Sequence, residues 1–144
     1  MQTVQSFKPE GFNSIFNYLI VVDAQKSIDF YTKALDFKLG DTMSQEGQLV
    51  HVELKNEDGS RLMFCPANTG MSKGIAPILT PDAPVSPITL CLYHADVDAS
   101  HAAAVAAGAI SILAPKVAEW APNERYCIFQ DINGYTWMIL TMKA

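Results

Sequence analysis

Histidine, glutamate and cysteine are the residue types in this 144-residue chain that could bind a metal or act in catalysis. His51 and Glu53 are two positions apart in an alternating segment, so a strand would place both side chains on one face. Imidazole and carboxylate groups are ligands of divalent cations, and the pair could therefore begin a metal site. No third ligand lies nearby in sequence. The alternative, which we favour, is a half-exposed strand with polar residues on its open face.

The three cysteines, Cys65, Cys91 and Cys127, are odd in number and lack C-x-x-C spacing. Each lies among strand-like apolar residues, where a free cysteine behaves as a small buried hydrophobe. This pattern predicts no disulfide framework and favours a reducing, cytoplasmic location. A nucleophilic cysteine would require a histidine beside it in the fold.

Composition excludes several classes of protein. The net charge is −5 and no cluster of Lys and Arg is present, which argues against a nucleic-acid partner. No apolar run approaches the roughly 20 residues of a membrane span, and the polar residues 1–9 do not resemble a signal peptide. The acidity and the aromatic content favour a cationic, aromatic guest.

The periodicity predicts the same order of elements in both halves of the chain. The first half predicts a strand over 16–22, a helix N-capped by Asp23, and strands over 42–45, 48–55 and 61–65. The second predicts a strand over 88–93, a helix capped within 96–98 and ended by Gly108, and strands over 110–113, 125–130 and 135–140, with a loop over 114–123. The proline-rich segment 66–87 is a linker or lid.

A repeat of 75 positions relates the two halves. It connects Gly59 to Gly134 and Met63 to Met138, and we extend it to Asp23 and Asp98. We therefore predict an α+β fold of two tandem βαβββ units, about 14–65 and 88–142, within a single domain over 1–144. One sheet and one helix cannot bury both faces of the sheet, so the two units are expected to pair and form a curved mixed sheet around a central cavity.

Two segments resemble the glyoxalase I, bleomycin-resistance and ring-cleaving (extradiol) dioxygenase superfamily, also called the vicinal oxygen chelate fold. Residues 23–37 are similar to its opening helix, which carries F-Y and ends in L-G-F, with Asp36 in place of the glycine. The D-I-N-G sequence of residues 131–134 is similar to its D-P-D-G turn. H-V-E-L at 51–54, E-R-Y at 124–126 and Trp137 further resemble the PhnB-like branch.

The resemblance implies four positions for metal ligands, one on the first and one on the last strand of each unit. They are occupied here by Phe16, Met63, Thr89 and Met138, where the family has His, Gln or Glu. None of these side chains is a plausible ligand for a hard or borderline cation. We therefore expect no metal cofactor of the family's usual kind, with His51 and Glu53 as the weak alternative.

Strand alternation and the loop that would cover the cavity predict a set of ligand-binding residues: Phe16, Tyr18, Arg61, Met63, Cys65, Thr89, Cys91, Trp120, Arg125 and Met138. Aromatic and methionine side chains with a few polar anchors are typical of a small-molecule site. We predict a metal-independent small-molecule-binding protein that sequesters a drug or metabolite, and a homodimer as the resemblance implies. The alternative is an enzyme, such as a lyase, isomerase or dioxygenase, that acts in the same cavity with or without a divalent metal.

Overall fold

The computed structural model describes residues 6–67, 69, 72 and 86–143, so most of the predicted linker 66–87 lies outside the described residues. The first unit contains β1 (Asn17–Val21), α1 (Ala24–Leu35), β2 (Lys38–Gln45), β3 (Gln48–Lys55) and β4 (Arg61–Pro66). The second contains β5 (Thr89–Tyr93), α2 (Val97–Ala106), β6 (Ile110–Ala118), β7 (Ala121–Gln130) and β8 (Thr136–Thr141). The predicted α+β class and the two βαβββ units are confirmed.

Each unit forms a four-stranded mixed sheet of its own. Sheet 1 has the order β1-β4-β3-β2 and sheet 2 has the equivalent order β5-β8-β7-β6. The first and last strands of each unit are parallel neighbours, and the remaining pairs are antiparallel. The final strand of each unit is therefore central in its sheet.

The two helices lie between the two sheets. Tyr31 of α1 packs against Phe64 of sheet 1 and against Trp137 of sheet 2, with ring centroids 5.8 Å apart in both cases. Phe30 of the same helix contacts Phe129 of sheet 2. One hydrophobic core thus joins the inner faces of both sheets. The opposite surface of each sheet, which we call its helix-free face, points away from the helix layer.

A buried polar network around Asp131 connects the second unit to the first. Asp131 Oδ2 accepts hydrogen bonds from the Tyr31 hydroxyl at 2.5 Å and from Trp137 Nε1 at 2.8 Å. Its Oδ1 accepts from the backbone N–H groups of Asn133 and Tyr135. Burial raises the pKa of the Asp131 carboxyl, although these donors act in the opposite direction.

The edge strand β1 is covered by side chains of the second unit. The Tyr135 hydroxyl accepts from Ile20 N at 3.1 Å and donates to Ile20 O at 2.9 Å. Asn133 Oδ1 accepts from Val22 N at 2.9 Å. These bonds satisfy backbone groups that an exposed edge would leave open to another strand.

Three details of the predicted order are wrong. Asp96, not Asp98, caps α2, so the helix caps are 73 positions apart while the final strands keep the 75-residue spacing. Residues 114–123 form part of the β6–β7 hairpin rather than a loop. Strand β2 begins at Lys38, earlier than expected. Within the described residues, neither helix is long and apolar enough to cross a membrane.

Candidate functional site

The helix-free face of sheet 1 gathers four of the predicted ligand-binding residues. Tyr18 on β1 is paired directly with Met63 on β4, and Arg61 and Cys65 lie two residues before and after Met63 on the same face. Leu62 and Phe64, which alternate with them, belong to the core on the helix side. Phe16, at the entrance to β1, is 41% exposed. The centre of this face is therefore apolar and contains a thioether.

A tyrosine–histidine pair lies on one side of this apolar centre. The Tyr18 hydroxyl and His51 Nδ1 are 2.9 Å apart, and the two rings stack with centroids 5.7 Å apart. Burial, and secondarily the neighbouring Cys65 thiol, raises the pKa of Tyr18 well above its ordinary value. Tyr18 therefore remains protonated at physiological pH.

An arginine–glutamate pair lies on the other side. Arg61 Nη1 forms a salt bridge with Glu53 Oε1, and both side chains are largely buried. The ring of Phe12, from the segment that precedes β1, lies 3.6 Å from the Arg61 guanidinium carbon. Arg61 Nε is buried and has no acceptor within the described structure. Arg61 thus combines an aromatic neighbour with an unsatisfied donor.

These contacts do not fit the metal chemistry that the family resemblance implies. His51 bonds Tyr18 through Nδ1, and the Glu53 carboxylate is bound to a guanidinium. The four implied ligand positions hold one phenyl ring, one hydroxyl and two thioethers. Among the described residues, no three His, Cys, Asp or Glu side chains are grouped so that they could hold a metal ion.

The helix-free face of sheet 2 gathers another three predicted residues. Cys91 on β5 is paired with Met138 on β8. Two residues earlier on the same strands, Thr89 is paired with Thr136. Cys91 is exposed, contrary to the expectation that all three cysteines are buried. The hydroxyl of Thr136 is buried without a partner in the described part of the chain.

Trp120 joins this second face, whereas Arg125 does not. The Trp120 ring lies 4.7 Å from that of Tyr126, and its Nε1 donates to Glu124 Oε2 at 2.6 Å. Arg125 lies on the opposite surface of β7, where its Nε and Nη2 donate to Asp98 of α2 at 2.7 Å. The alternation of β7 and the Asp98 carboxylate both direct Arg125 towards the helix layer. We therefore remove it from the candidate site.

Cys127 also lies on the helix side of sheet 2. It is fully buried in the core, and burial raises the pKa of its thiol to about 11. A thiol of this kind is not a thiolate at neutral pH and does not act as a nucleophile.

The cavities lined by described residues of the single chain are small or lie elsewhere. A cavity of about 170 Å³ brings Phe16 and Arg61 of the first unit close to Cys91 of the second. Two open grooves of about 560 and 570 Å³ lie beside the helices, at the junctions between the units. Neither groove is lined by any of the predicted ligand-binding residues. We place the candidate site on the helix-free faces because the unsatisfied polar atoms are found there.

The fold and these two faces define the class of the protein. The profile of the Glyoxalase/Bleomycin resistance protein/Dioxygenase superfamily matches residues 11–139, and the chain belongs to this superfamily. Uncharacterised proteins of Mycobacterium bovis and Mycobacterium tuberculosis are each 33% identical over 131 residues. These alignments cover 85% of this chain and 78% and 70% of the respective relatives.

Solved structures share the fold at lower identity. The TioX protein of Micromonospora sp. ML1 superposes with a TM-score of 0.65 at 18% identity, over 91% of this chain and 99% of that chain. A PhnB protein of Bacillus cereus, described as a putative 3-demethylubiquinone-9 3-methyltransferase, gives a TM-score of 0.65 at 11% identity and covers 90% and 99%. At these identities the similarity concerns the fold alone.

Proposed function

We propose that the protein binds a small organic molecule without a metal ion, and that it sequesters a drug or metabolite. The main support is the set of side chains at the four implied ligand positions, Phe16, Met63, Thr89 and Met138. Two thioethers and a phenyl ring are suited to an apolar guest and unsuited to a divalent cation. The side chains at these four positions therefore support a binding pocket rather than a metal site.

The proposed pocket requires two copies of the chain. The helix-free faces of one chain point away from the same helix layer, and the cavity that Phe16, Arg61 and Cys91 share within one chain measures only about 170 Å³, which is too small for a drug-sized ligand. Tyr93 remains 67% exposed and Trp120 57% exposed on the second face, which is a large aromatic surface for a single chain. We propose a homodimer in which sheet 1 of one copy and sheet 2 of the other form each cavity. The interface is then isologous and each dimer has two equivalent cavities.

Two finer assignments belong to this proposal. The segments at 51–54 and 124–126 support membership of the PhnB-like branch, and the similarity to the Bacillus cereus PhnB fold is compatible with it. The free thiols of Cys65, Cys91 and Cys127 support a cytoplasmic location.

A fluorescence titration with N-phenyl-1-naphthylamine, an uncharged aromatic probe, tests metal-free binding. Protein treated with a chelator and confirmed metal-free by elemental analysis should bind the probe saturably. Met63→Glu and Met138→Glu should each weaken binding at least about tenfold. Each variant places a charged carboxylate in one wall of the cavity, where an apolar ligand would bury it, and a cost of about 1.4 kcal/mol corresponds to tenfold in affinity. Val105→Glu, at an exposed apolar residue of helix α2 and therefore outside both faces, is the control. Binding that appears only after addition of Zn²⁺, Ni²⁺ or Mn²⁺ would overturn the proposal.

Calorimetric titration with bleomycin then distinguishes drug sequestration from metabolite binding. Heat with micromolar affinity would support sequestration of that drug class. No heat at sub-millimolar protein, together with saturable binding of the aromatic probe, would favour a metabolite as the guest.

The Tyr18–His51 pair favours a metal-free enzyme as the second candidate function. In the tautomer whose Nδ1–H donates to the Tyr18 oxygen, His51 Nε2 has a free lone pair and could act as a general base. The probe 5-nitrobenzisoxazole tests for such a base: loss of its C3 proton to the base breaks the ring N–O bond and releases a coloured cyanophenolate. Acceleration that His51→Gln abolishes, with retained binding of the aromatic probe, would favour the enzyme.

A further inference from the structure

A row of three cationic side chains crosses sheet 1 at one end of its helix-free face. Lys38 on β2 is paired directly with Lys55 on β3, and Lys55 is paired directly with Arg61 on β4. Lys55 and Arg61 follow or precede the core residues Leu54 and Leu62 and therefore lie on the helix-free side. Lys38 follows the core residue Phe37 and is paired with Lys55, which places it at the edge of the same face, where it also borders the open groove beside α1. This row stands out in a chain whose net charge is −5.

A lysine on the edge strand β2 discourages pairing with another strand, but this does not account for the two cationic residues beside it on β3 and β4. Like charges directly opposite each other on neighbouring strands destabilise a sheet. Arg61 is partly neutralised by Glu53, but neither Lys38 nor Lys55 lies within salt-bridge distance of a described carboxylate. The nearby Asp58 carboxylate instead accepts from the backbone N–H of Ser60 at 2.8 Å.

We propose that this row, which consists of Lys38, Lys55 and Arg61, binds the anionic end of the ligand. The inference rests on the proposed function, because it assigns the ligand of the same cavity to a chemical class: an organic anion, such as a carboxylate or sulfonate, with an aromatic or apolar body. The body lies over Met63 and against Phe12, and the oxyanion lies over the row. Within the described residues, the buried donor Arg61 Nε has no acceptor, and a ligand oxyanion could supply one.

The local charges thus reverse the expectation drawn from the whole chain. A net acidic protein favours a cationic guest only if its charges are spread evenly. On the helix-free face of sheet 1, the described charged residues of β3 and β4 are Lys55, Arg61 and Glu53, whose carboxylate Arg61 already engages. Strand β2 adds Lys38 and, at the irregularity between Leu39 and Thr42 opposite Glu53, Asp41, so the cations outnumber the carboxylates three to two. A cationic guest would meet two unpaired lysines at this end.

Two probes that share one ring system test the proposal. 8-Anilinonaphthalene-1-sulfonate carries a sulfonate on the N-phenyl-1-naphthylamine ring system, so the two differ only in the anionic group. The sulfonate probe should bind the wild-type protein more tightly than the uncharged probe. The double variant Lys38→Gln/Lys55→Gln should bind the sulfonate about fivefold more weakly, since two exposed ion pairs are lost. Its affinity for the uncharged probe should not change.

The controls separate this proposal from the one on which it rests. Lys33→Gln, which removes an exposed lysine on α1, should bind both probes as the wild type does. Raising the ionic strength towards 1 M should weaken sulfonate binding and leave the uncharged probe unaffected. If neither probe binds, the proposed cavity is wrong. If the uncharged probe binds as tightly as the sulfonate and the double variant changes neither affinity, the anion site is wrong and the cavity stands.

Discussion

Replacing Asp131 by asparagine should destabilise the fold strongly, although the change removes no heavy-atom volume. The four groups around the carboxylate are all donors: the Tyr31 hydroxyl, Trp137 Nε1, and the backbone N–H groups of Asn133 and Tyr135. An asparagine side chain has one carbonyl oxygen, which can accept two of these bonds. Its amide group then faces the other two donors and leaves both without an acceptor.

The size of the effect follows from that count. Each buried donor left unsatisfied costs about 1–3 kcal/mol, so two cost about 2–6 kcal/mol in the free energy of unfolding. An unfolding entropy of about 2 cal/mol/K per residue gives a 144-residue chain a change in Tm of roughly 3 °C per kcal/mol.

Thermal unfolding followed by circular dichroism should therefore show Tm lowered by about 6–18 °C in Asp131→Asn. Asp29→Asn is the matched control, because the exposed Asp29 carboxylate on α1 accepts one hydrogen bond from Gln25 at 3.2 Å. Its Tm should fall by no more than about 2 °C. A change in Asp131→Asn as small as that of the control would refute the assignment of this network as the connection between the units.

Three other predictions follow from particular contacts. Tyr135→Phe removes both bonds to the backbone of Ile20 and should lower the free energy of unfolding by about 1–2 kcal/mol in urea titrations, whereas Tyr93→Phe on the exposed face should leave it unchanged. Gly40→Ala would place Cβ 3.0 Å from the backbone oxygen of Glu53 and should therefore lower the free energy of unfolding by about 1–3 kcal/mol in the same assay. The control Ser44→Ala should leave it nearly unchanged. An unchanged urea midpoint in Gly40→Ala would show that this close approach is absent. Because burial raises the pKa of Asp131 in the folded state, this carboxyl contributes most stability below its unfolded pKa and loses it as the pH rises through the higher folded value. The difference in free energy of unfolding between wild type and Asp131→Asn should therefore shrink from about pH 4 upwards, and a difference that grows over that range would contradict the direction of the shift.

The turn and strand patterns made the architecture predictable from the sequence. Local sequence rules predict the apolar face of α1 and its N-cap Asp23, and the structure has both. The repeat predicts equivalent positions for Met63 and Met138, and each is paired with the first strand of its unit. The repeat did not locate the cap of α2, because two aspartates flank Val97 and either satisfies the sequence rule for an N-cap. Asp96 has that role, since its side chain accepts from Ala99 N at 2.9 Å.

The site was less predictable because it depends on contacts between distant segments. Strand alternation placed Tyr18, Met63 and Cys65 on one face, but it could not show that the two sheets present their faces in opposite directions. Arg125 was misplaced because its partner, Asp98, lies 27 residues away on a helix.

Lys38 and Lys55 were overlooked for a different reason. Each is an ordinary exposed lysine in sequence, and only the strand register places the two opposite each other and beside Arg61. Charged residues of like sign at the ends of strands that are predicted to be neighbours are the sequence signal that could have identified them.

A mixed-dimer experiment tests the shared cavity most directly. Met63→Glu disrupts the first face and Met138→Glu the second, so homodimers of either variant should bind N-phenyl-1-naphthylamine at least about tenfold more weakly than the wild type. In co-expressed protein, heterodimers have one intact cavity and one that is blocked on both walls. Random assembly makes about half of the dimers mixed, so chelator-treated protein should recover about a quarter of the wild-type binding capacity at wild-type affinity. No recovery in verified heterodimers would contradict a metal-free cavity shared between two copies of the chain.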